Sequence, residues 1–120
     1  MDVKWYRYDT IDSTSSEARR LLQSGTLTPP AVVLAQAQTA GRGRQGKSFY
    51  SPGKTGIYMS IVVDFPQEAS SAALLTIRAG VAVSDAIREE TGIETGIKWV
   101  NDIFLDGRKV CGILTESVLQ

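Results

Sequence analysis

Histidine is absent from this chain. Its absence removes imidazole acid–base catalysis, Ser-His-Asp triads and His-ligated zinc together. Cysteine occurs once, at Cys111, so no disulfide can close within the chain. That usage suits a reducing compartment. With no base beside it in sequence, Cys111 reads as a small core residue rather than a nucleophile. No apolar run approaches the roughly 20 residues of a membrane span. The opening MDVKWYRYDT lacks the pattern of a signal peptide. The expected setting is the cytoplasm, with no membrane partner. Net charge is missing too, since 13 Lys and Arg balance 13 Asp and Glu. Domains that bind long nucleic acids usually carry a basic surplus, so no nucleic-acid partner is expected. Repeats and low-complexity tracts are also lacking.

What the chain does have is a core. At 120 residues and 42% hydrophobic content it has the size and the apolar surface of one domain. VKWYRYD (3–9) alternates large and polar residues and reads as a strand. TSSE (14–17) fits a capping box, with Thr14 as the cap and Glu17 reaching back. The helix behind it should end at Gly25. AVVLAQAQ (31–38) is an apolar, buried strand. IYMSIVVDF (57–65) is another, with Ile57, Met59, Ile61 and Val63 on one face and Tyr58, Ser60 and Asp64 on the other. Residues 70–92 form the longest helix, apolar nearly all round at first and so expected at the centre of the protein. IKWVN (97–101) is a short strand. IFLDGRKV (103–110) is a hairpin about Asp106-Gly107, whose return strand continues to Val118. The class is α+β: a mixed, mainly antiparallel sheet packed on helices.

Charge is concentrated in one place. AGRGRQGKSF (40–49) packs three glycines and three cations into Gly41–Lys47. The segment satisfies both a dinucleotide fingerprint and a Walker A pattern on paper. Each of those needs a helix immediately afterwards, and Pro52, Gly53 and Gly56 forbid one. Two readings stay open. Glycine amides with Arg42 and Arg44 can cradle a small anion, or the loop is a hairpin tip whose cations face water. A second constellation, Lys98-Trp99-Val100-Asn101-Asp102, sets a cation, an indole and an amide–carboxylate pair at a strand end. Asn-Asp is also an ordinary turn. The hairpin should return Lys109 toward Asn101 and Asp102, although a lone hairpin lysine is usually an edge guard.

Taken together, Asp12-Ser13-Thr14, QTAGRGRQGKSFYSP (38–52), GIYMSI (56–61) and KWVNDIFLDGRKVCGILTE (98–116) resemble the catalytic domain of biotin protein ligases. The resemblance implies a biotin–lipoate ligase fold, similar to class II aminoacyl-tRNA synthetases. It implies an ATP-dependent ligase that makes biotinyl-5′-AMP and passes biotin to a lysine of a biotin carboxyl carrier protein. ATP and biotin are the implied substrates, with Mg2+, and a homodimer is compatible with the family. Ser13, Thr14, Gln38, Arg42, Gly43, Arg44 and Lys109 are implied to hold biotin. Arg42, Arg44, Phe49, Lys98 and Asn101 are implied to meet the nucleotide, and Asn101 and Asp102 the metal. Arg44, Lys98, Lys109 and Asp102 are the implied catalytic set. Phe49 stands where the family often has Trp, which keeps an apolar cover but loses an indole N–H. Val100 stands where Pro is usual. Residues 1–120 are expected to be the N-terminal portion of such a catalytic domain, without an N-terminal winged helix or a C-terminal small β-barrel. A lipoate-type acyl ligase is the alternative within the superfamily, and an inactive ligand-binding fragment is another.

The chemistry of the residues agrees with the ligase reading. Its first step drives a carboxylate against a triphosphate, and fixed cations must offset that repulsion. Arg42, Arg44, Lys98 and Lys109 are the candidates. A carboxylate is already ionised at neutral pH, so no histidine is required. An acceptor lysine, with an ordinary pKa near 10.4, needs a base or a local field, and Asp102 is the candidate base.

Overall fold

The computed structural model describes residues 2–65, 72–98 and 102–118, apart from the side chains of Arg44, Ala72 and Ala73. The chain divides into two units, Met1–Pro66 and Gln67–Leu119, with Gln120 grouped with the first.

In the first unit, β1 (Lys4–Ile11) leads into α1 (Thr14–Gln23), which returns the chain to β2 (Ala31–Gln38). β1 and β2 are therefore parallel, with Tyr6 opposite Val33. β3 (Tyr58–Val62) adds on the other side of β2, antiparallel, with Ser60 opposite Val33. The sheet order is β1-β2-β3. Period-two alternation sends Tyr6, Tyr8, Ala31, Val33 and Val62 to the α1 face. There they meet Ala18, Leu21, Leu22 and Leu27. Val33 and Ala31 are fully buried, and shutting a Val away from water is worth about 1.5–3 kcal/mol. The opposite face carries Trp5, Arg7, Met59 and Ile61. Trp5, Met59 and Ile61 are largely exposed, and Arg7 lies 5.2 Å over the Trp5 ring.

α1 ends as the sequence suggests. Gly25 takes φ +76°, and the Gly25 and Thr26 amides donate to the Leu22 and Leu21 carbonyls. That pairing is a Schellman stop. The start differs by one residue. Ser13, not Thr14, is the cap, and its Oγ accepts from the Ser16 amide at 3.2 Å. Glu17 does not reach back, because its carboxylate is held by the Tyr8 hydroxyl and by Arg20. A partner on β1, beneath the helix, together with Arg20 outcompetes the local capping bond.

In the second unit, α2 (Ala72–Thr91) precedes an antiparallel sheet of β4 (Gly96–Lys98), β5 (Asp102–Leu105) and β6 (Arg108–Gly112). Gly92, at φ +75°, closes the helix as expected. Residues 70 and 71, included in the expected helix, lie outside the described residues. Asp106 and Gly107 both take positive φ, 52° and 78°, the signature of a tight two-residue hairpin turn. The return strand stops at Gly112 instead of running to Val118. α2 is not the buried helix that its apolar sequence suggests. Among its described residues only Thr76 and Gly80 are buried, while Leu74 and Val81 are exposed. Strands of three to five residues cover one stripe of a twenty-residue helix. Ile103 in β5 is fully buried, and Thr76 donates to Thr115 at 2.6 Å.

Candidate functional site

The first cluster forms where α1 begins. A helix leaves its first amides without intrahelical partners. Here the Thr14 amide donates to Gln38 Oε1 at 2.8 Å, from the end of β2. The Thr14 hydroxyl meets Ser60 Oγ at 2.8 Å, and Ser15 Oγ meets the same oxygen at 3.0 Å. Three hydroxyls and a carboxamide thus converge from α1, β2 and β3. Ser13 and Thr14 are buried, Gln38 and Ser60 half-buried. None of these groups is charged.

Behind it, an ionic network fixes the turn that enters α1. Arg20 forks onto Asp12, Nη1 to Oδ2 at 2.9 Å and Nη2 to Oδ1 at 2.7 Å, and its Nε donates to Glu17 at 2.8 Å. The Tyr8 hydroxyl donates to the other Glu17 oxygen at 2.6 Å. The Arg20 fork, with the Ser13 amide, holds the Asp12 carboxyl down at about 2. Burial, reinforced by Glu17, pushes the Tyr8 phenol up to about 12. A depressed carboxyl stabilises the fold fully above its ordinary value near 3.8, and that stability is lost as pH falls through about 2. Arg20→Met should therefore shrink the part of acid unfolding that titrates between pH 4 and 2, the Ser13 amide keeping the remainder. Circular dichroism against pH reads this, and an unchanged acid limb contradicts it.

The glycine loop is a small hairpin. Phe49 N–H donates to the Gly41 carbonyl at 2.8 Å, Gly43 N–H to the Lys47 carbonyl at 2.6 Å, and Arg42 pairs with Ser48. A 3-10 turn at Arg44–Gly46 forms the tip, with Gln45 at φ 57° and Gly46 at φ +76°. No helix follows, so neither the dinucleotide nor the Walker A geometry is present. Gly41 is irreplaceable on packing grounds. A Cβ there would sit 2.5 Å from the Phe49 carbonyl, 2.6 Å from Ser51 Oγ and 2.8 Å from Gln38 Nε2. Arg42 and Lys47 are exposed, Gly43 is half-buried, and Phe49 lies at the surface. The Arg44 side chain is outside the described residues.

The second unit gathers its own charged group. Lys98 lies opposite Asp102 on β4 and β5, and Lys109 opposite Phe104 on β5 and β6. The hairpin returns Lys109 as expected, with Nζ 3.0 Å from Asp102 Oδ1. Lys98 Nζ stands 5.1 Å over the Phe104 ring. Lys98, Asp102, Phe104 and Lys109 thus share the sheet face opposite Ile103. Asn101, with Trp99 and Val100, lies outside the described residues. Among the described residues no group of three acidic or sulfur ligands could hold a metal ion. Nor is any helix long and apolar enough to cross a membrane.

Residues 8–120 match the biotin/lipoate A/B protein ligase family. The chain belongs to that family. It is 40% identical over 111 residues to the bifunctional ligase/repressor BirA of Bacillus subtilis (strain 168), covering 91% of this chain and 33% of that protein. It is 36% identical to the biotin–[acetyl-CoA-carboxylase] ligase of Mycobacterium tuberculosis (strain ATCC 25618 / H37Rv), covering 93% and 45%. Among solved structures it is similar to the biotin protein ligase of Aquifex aeolicus in complex with biotin and ATP. There the TM-score is 0.84 at 30% identity, with 95% of this chain and 47% of that one covered. The chain therefore spans a third to a half of the length of the relatives it matches.

Within this family member the first unit carries Ser13, Thr14, Gln38, Arg42, Gly43, Arg44 and Phe49, and the second carries Lys98, Asn101, Asp102 and Lys109. The structure joins Thr14 to Gln38, and Lys109 to Asp102. Ser15 and Ser60 of this cluster, and Ser51 bonded to Gln38 beside it, carry no site role in the sequence reading: Ser15 falls within the capping box, Ser60 on a strand face and Ser51 within a motif. The alternation that puts Ser60 on the α1 face was the available signal. The pairing of Ser51 with Gln38 has no counterpart in local sequence. An open groove of about 530 Å3 over Arg7, Asp9, Leu34, Gln36 and Ile57 holds none of the expected site residues.

Proposed function

We propose that this chain is the N-terminal portion of the catalytic domain of a biotin protein ligase and carries its biotin pocket and much of its nucleotide site. The observation that carries this reading is the uncharged cluster of Thr14, Ser15, Gln38 and Ser60 beside the base of a basic glycine loop. Hydroxyls and a carboxamide both donate and accept. They suit a neutral ring bearing N–H and C=O together, which the ureido ring of biotin offers. The dithiolane ring of lipoate has no donor to give them. A site built for hydrogen bonds rejects an analogue that lacks them by roughly 10⁴-fold or more. Similarity to the ligases named above supports the same choice.

In this reading the carboxylate of biotin lies toward Arg42, Gly43 and Arg44. One of its oxygens attacks the α-phosphorus of ATP, the bond to the bridging oxygen breaks, and pyrophosphate leaves. In the first unit Arg42 and Arg44 are the cations proposed to offset the charge that accumulates between the two anions, and in the second unit Lys98 and Lys109 are the candidates for that task. Phe49 supplies an apolar cover at the loop's edge. Mg2+ commonly binds through substrate phosphates with one or two carboxylates. Asp102 is the described carboxylate that fits that part, and the metal would lend charge neutralisation to the leaving pyrophosphate. In the second step the ε-amine of a carrier-protein lysine attacks the acyl carbon and AMP departs. Asp102, ion-paired with Lys109, is the candidate to take the proton, a role alternative to holding the metal.

Calorimetric titration tests the reading. Biotin should bind this chain and lipoate should not. Preference for lipoate would move the chain to the other branch of the family, and binding of neither would remove the pocket.

A further inference from the structure

One buried hydroxyl lies between the pocket and the loop. Ser51 is only 4% exposed, and its Oγ accepts from Gln38 Nε2 at 3.0 Å while donating to the Phe49 carbonyl at 3.0 Å. The backbone adds to this, because the Gln38 amide donates to the Ser51 carbonyl at 3.0 Å. The bonds form one directional chain. Thr14 N–H donates to Gln38 Oε1, Gln38 Nε2 to Ser51 Oγ, Ser51 Oγ–H to the Phe49 carbonyl, and Phe49 N–H to the Gly41 carbonyl. It starts at the α1 N-terminus and ends at the root of the Arg42 hairpin.

Each link constrains the next. Thr14 N–H fixes which end of the Gln38 carboxamide points at α1, and so turns the NH2 toward Ser51. Ser51 is too buried to exchange that donor for water without loss. Gly41 closes the far side, since the same three groups would crowd a Cβ there. The Gln38 carboxamide therefore cannot reorient toward a ligand without disturbing the hairpin root.

We propose that Ser51 is a positioning residue. It couples occupancy of the Thr14–Gln38–Ser60 pocket to the placement of the glycine loop. The inference rests on the biotin-pocket reading above and adds to it the route by which that pocket acts on Arg42 and Arg44. A ligand that holds the Gln38 carboxamide in the orientation Ser51 requires also holds the hairpin root, and so orders the cations against the anion they serve. Ser51 itself touches neither reactant. Coupling of this kind is reciprocal, so a well-placed loop also tightens the pocket.

Ser51→Thr and Ser51→Val test this as a pair. They add the same branch to the side chain and differ only in a hydroxyl against a methyl. The readout is trypsin cleavage after Arg42, Arg44 and Lys47, with and without saturating biotin. Biotin should slow cleavage of the wild type and of Ser51→Thr by roughly 5-fold or more, the lower end of usual coupling. Ser51→Val should bind biotin and show no such protection. Equal protection in both variants overturns the inference while leaving the biotin pocket standing. Failure of the wild type to bind biotin at all is a different result, and removes the pocket and the inference together. Hydrogen exchange at Phe49 N–H in the wild type covers the case in which neither variant folds. Slower exchange with biotin supports the relay, and an unchanged rate overturns it.

Discussion

Lys109→Met should slow biotin-dependent exchange of pyrophosphate into ATP by about 10²- to 10³-fold. The fold should barely notice. Lys109 and Asp102 are 43% and 26% exposed in their ion pair, and such pairs are worth about 0–1 kcal/mol. The large loss has another origin. Removing Lys109 takes one cation from a face where only Lys98 and Lys109 stand against Asp102 among the described residues of β4–β6. It also takes from Asp102 its ion-pair partner, leaving Lys98 as the one described cation on that face, so in the proposed site less positive charge opposes the two anionic reactants. The methionine stem keeps the packing, which separates charge from volume. Exchange within about threefold of the wild type, with denaturant unfolding unchanged, would take Lys109 out of the reaction.

Gln38→Leu should weaken biotin binding by more than tenfold and destabilise the first unit as well. Leucine fills the volume and serves neither partner. The Thr14 amide loses its acceptor and the Ser51 hydroxyl loses its donor, and both residues are buried, at 3% and 4% exposure. Each buried polar group left without its partner costs about 1–3 kcal/mol. Urea unfolding measures the first effect and calorimetry the second. Gln38→Glu separates them further. It keeps the acceptor for Thr14 and replaces the donor to Ser51 with a second acceptor, which draws the single Ser51 proton away from the Phe49 carbonyl and so breaks the relay from Ser51 onward. A Gln38→Leu chain as stable as the wild type would show that these bonds contribute little.

How much was legible depended on the range of the interaction. Local patterns served well. Gly25 and Gly92 marked two helix ends, Asp106-Gly107 marked a hairpin, and alternation separated Ile57, Met59 and Ile61 from Tyr58 and Ser60. Pro52 and the neighbouring glycines were enough to reject a phosphate-binding helix after Gly46. Local patterns mislead where distant residues compete. The capping box failed because Tyr8, on β1, holds the Glu17 carboxylate that was expected to fold back. α2 looked like a central helix because its apolar sequence does not say how little the short β4–β6 sheet can cover. Recognition of the candidate site came from motif order, which named Thr14, Gln38 and Lys109. Motif order carries no information on hydrogen bonds between distant segments, so the places of Ser60 and Ser51 follow only from register and burial. Their partners lie 46 and 13 residues away in sequence.

The central claim is that biotin's ring is held by the uncharged cluster at the start of α1. Following the biotin titration residue by residue, by amide nuclear magnetic resonance, tests it most directly. The Thr14 backbone signal and the Gln38 side-chain NH2 pair should shift together and saturate with the calorimetric affinity. Saturable binding that leaves both signals unmoved would place biotin elsewhere and contradict the account.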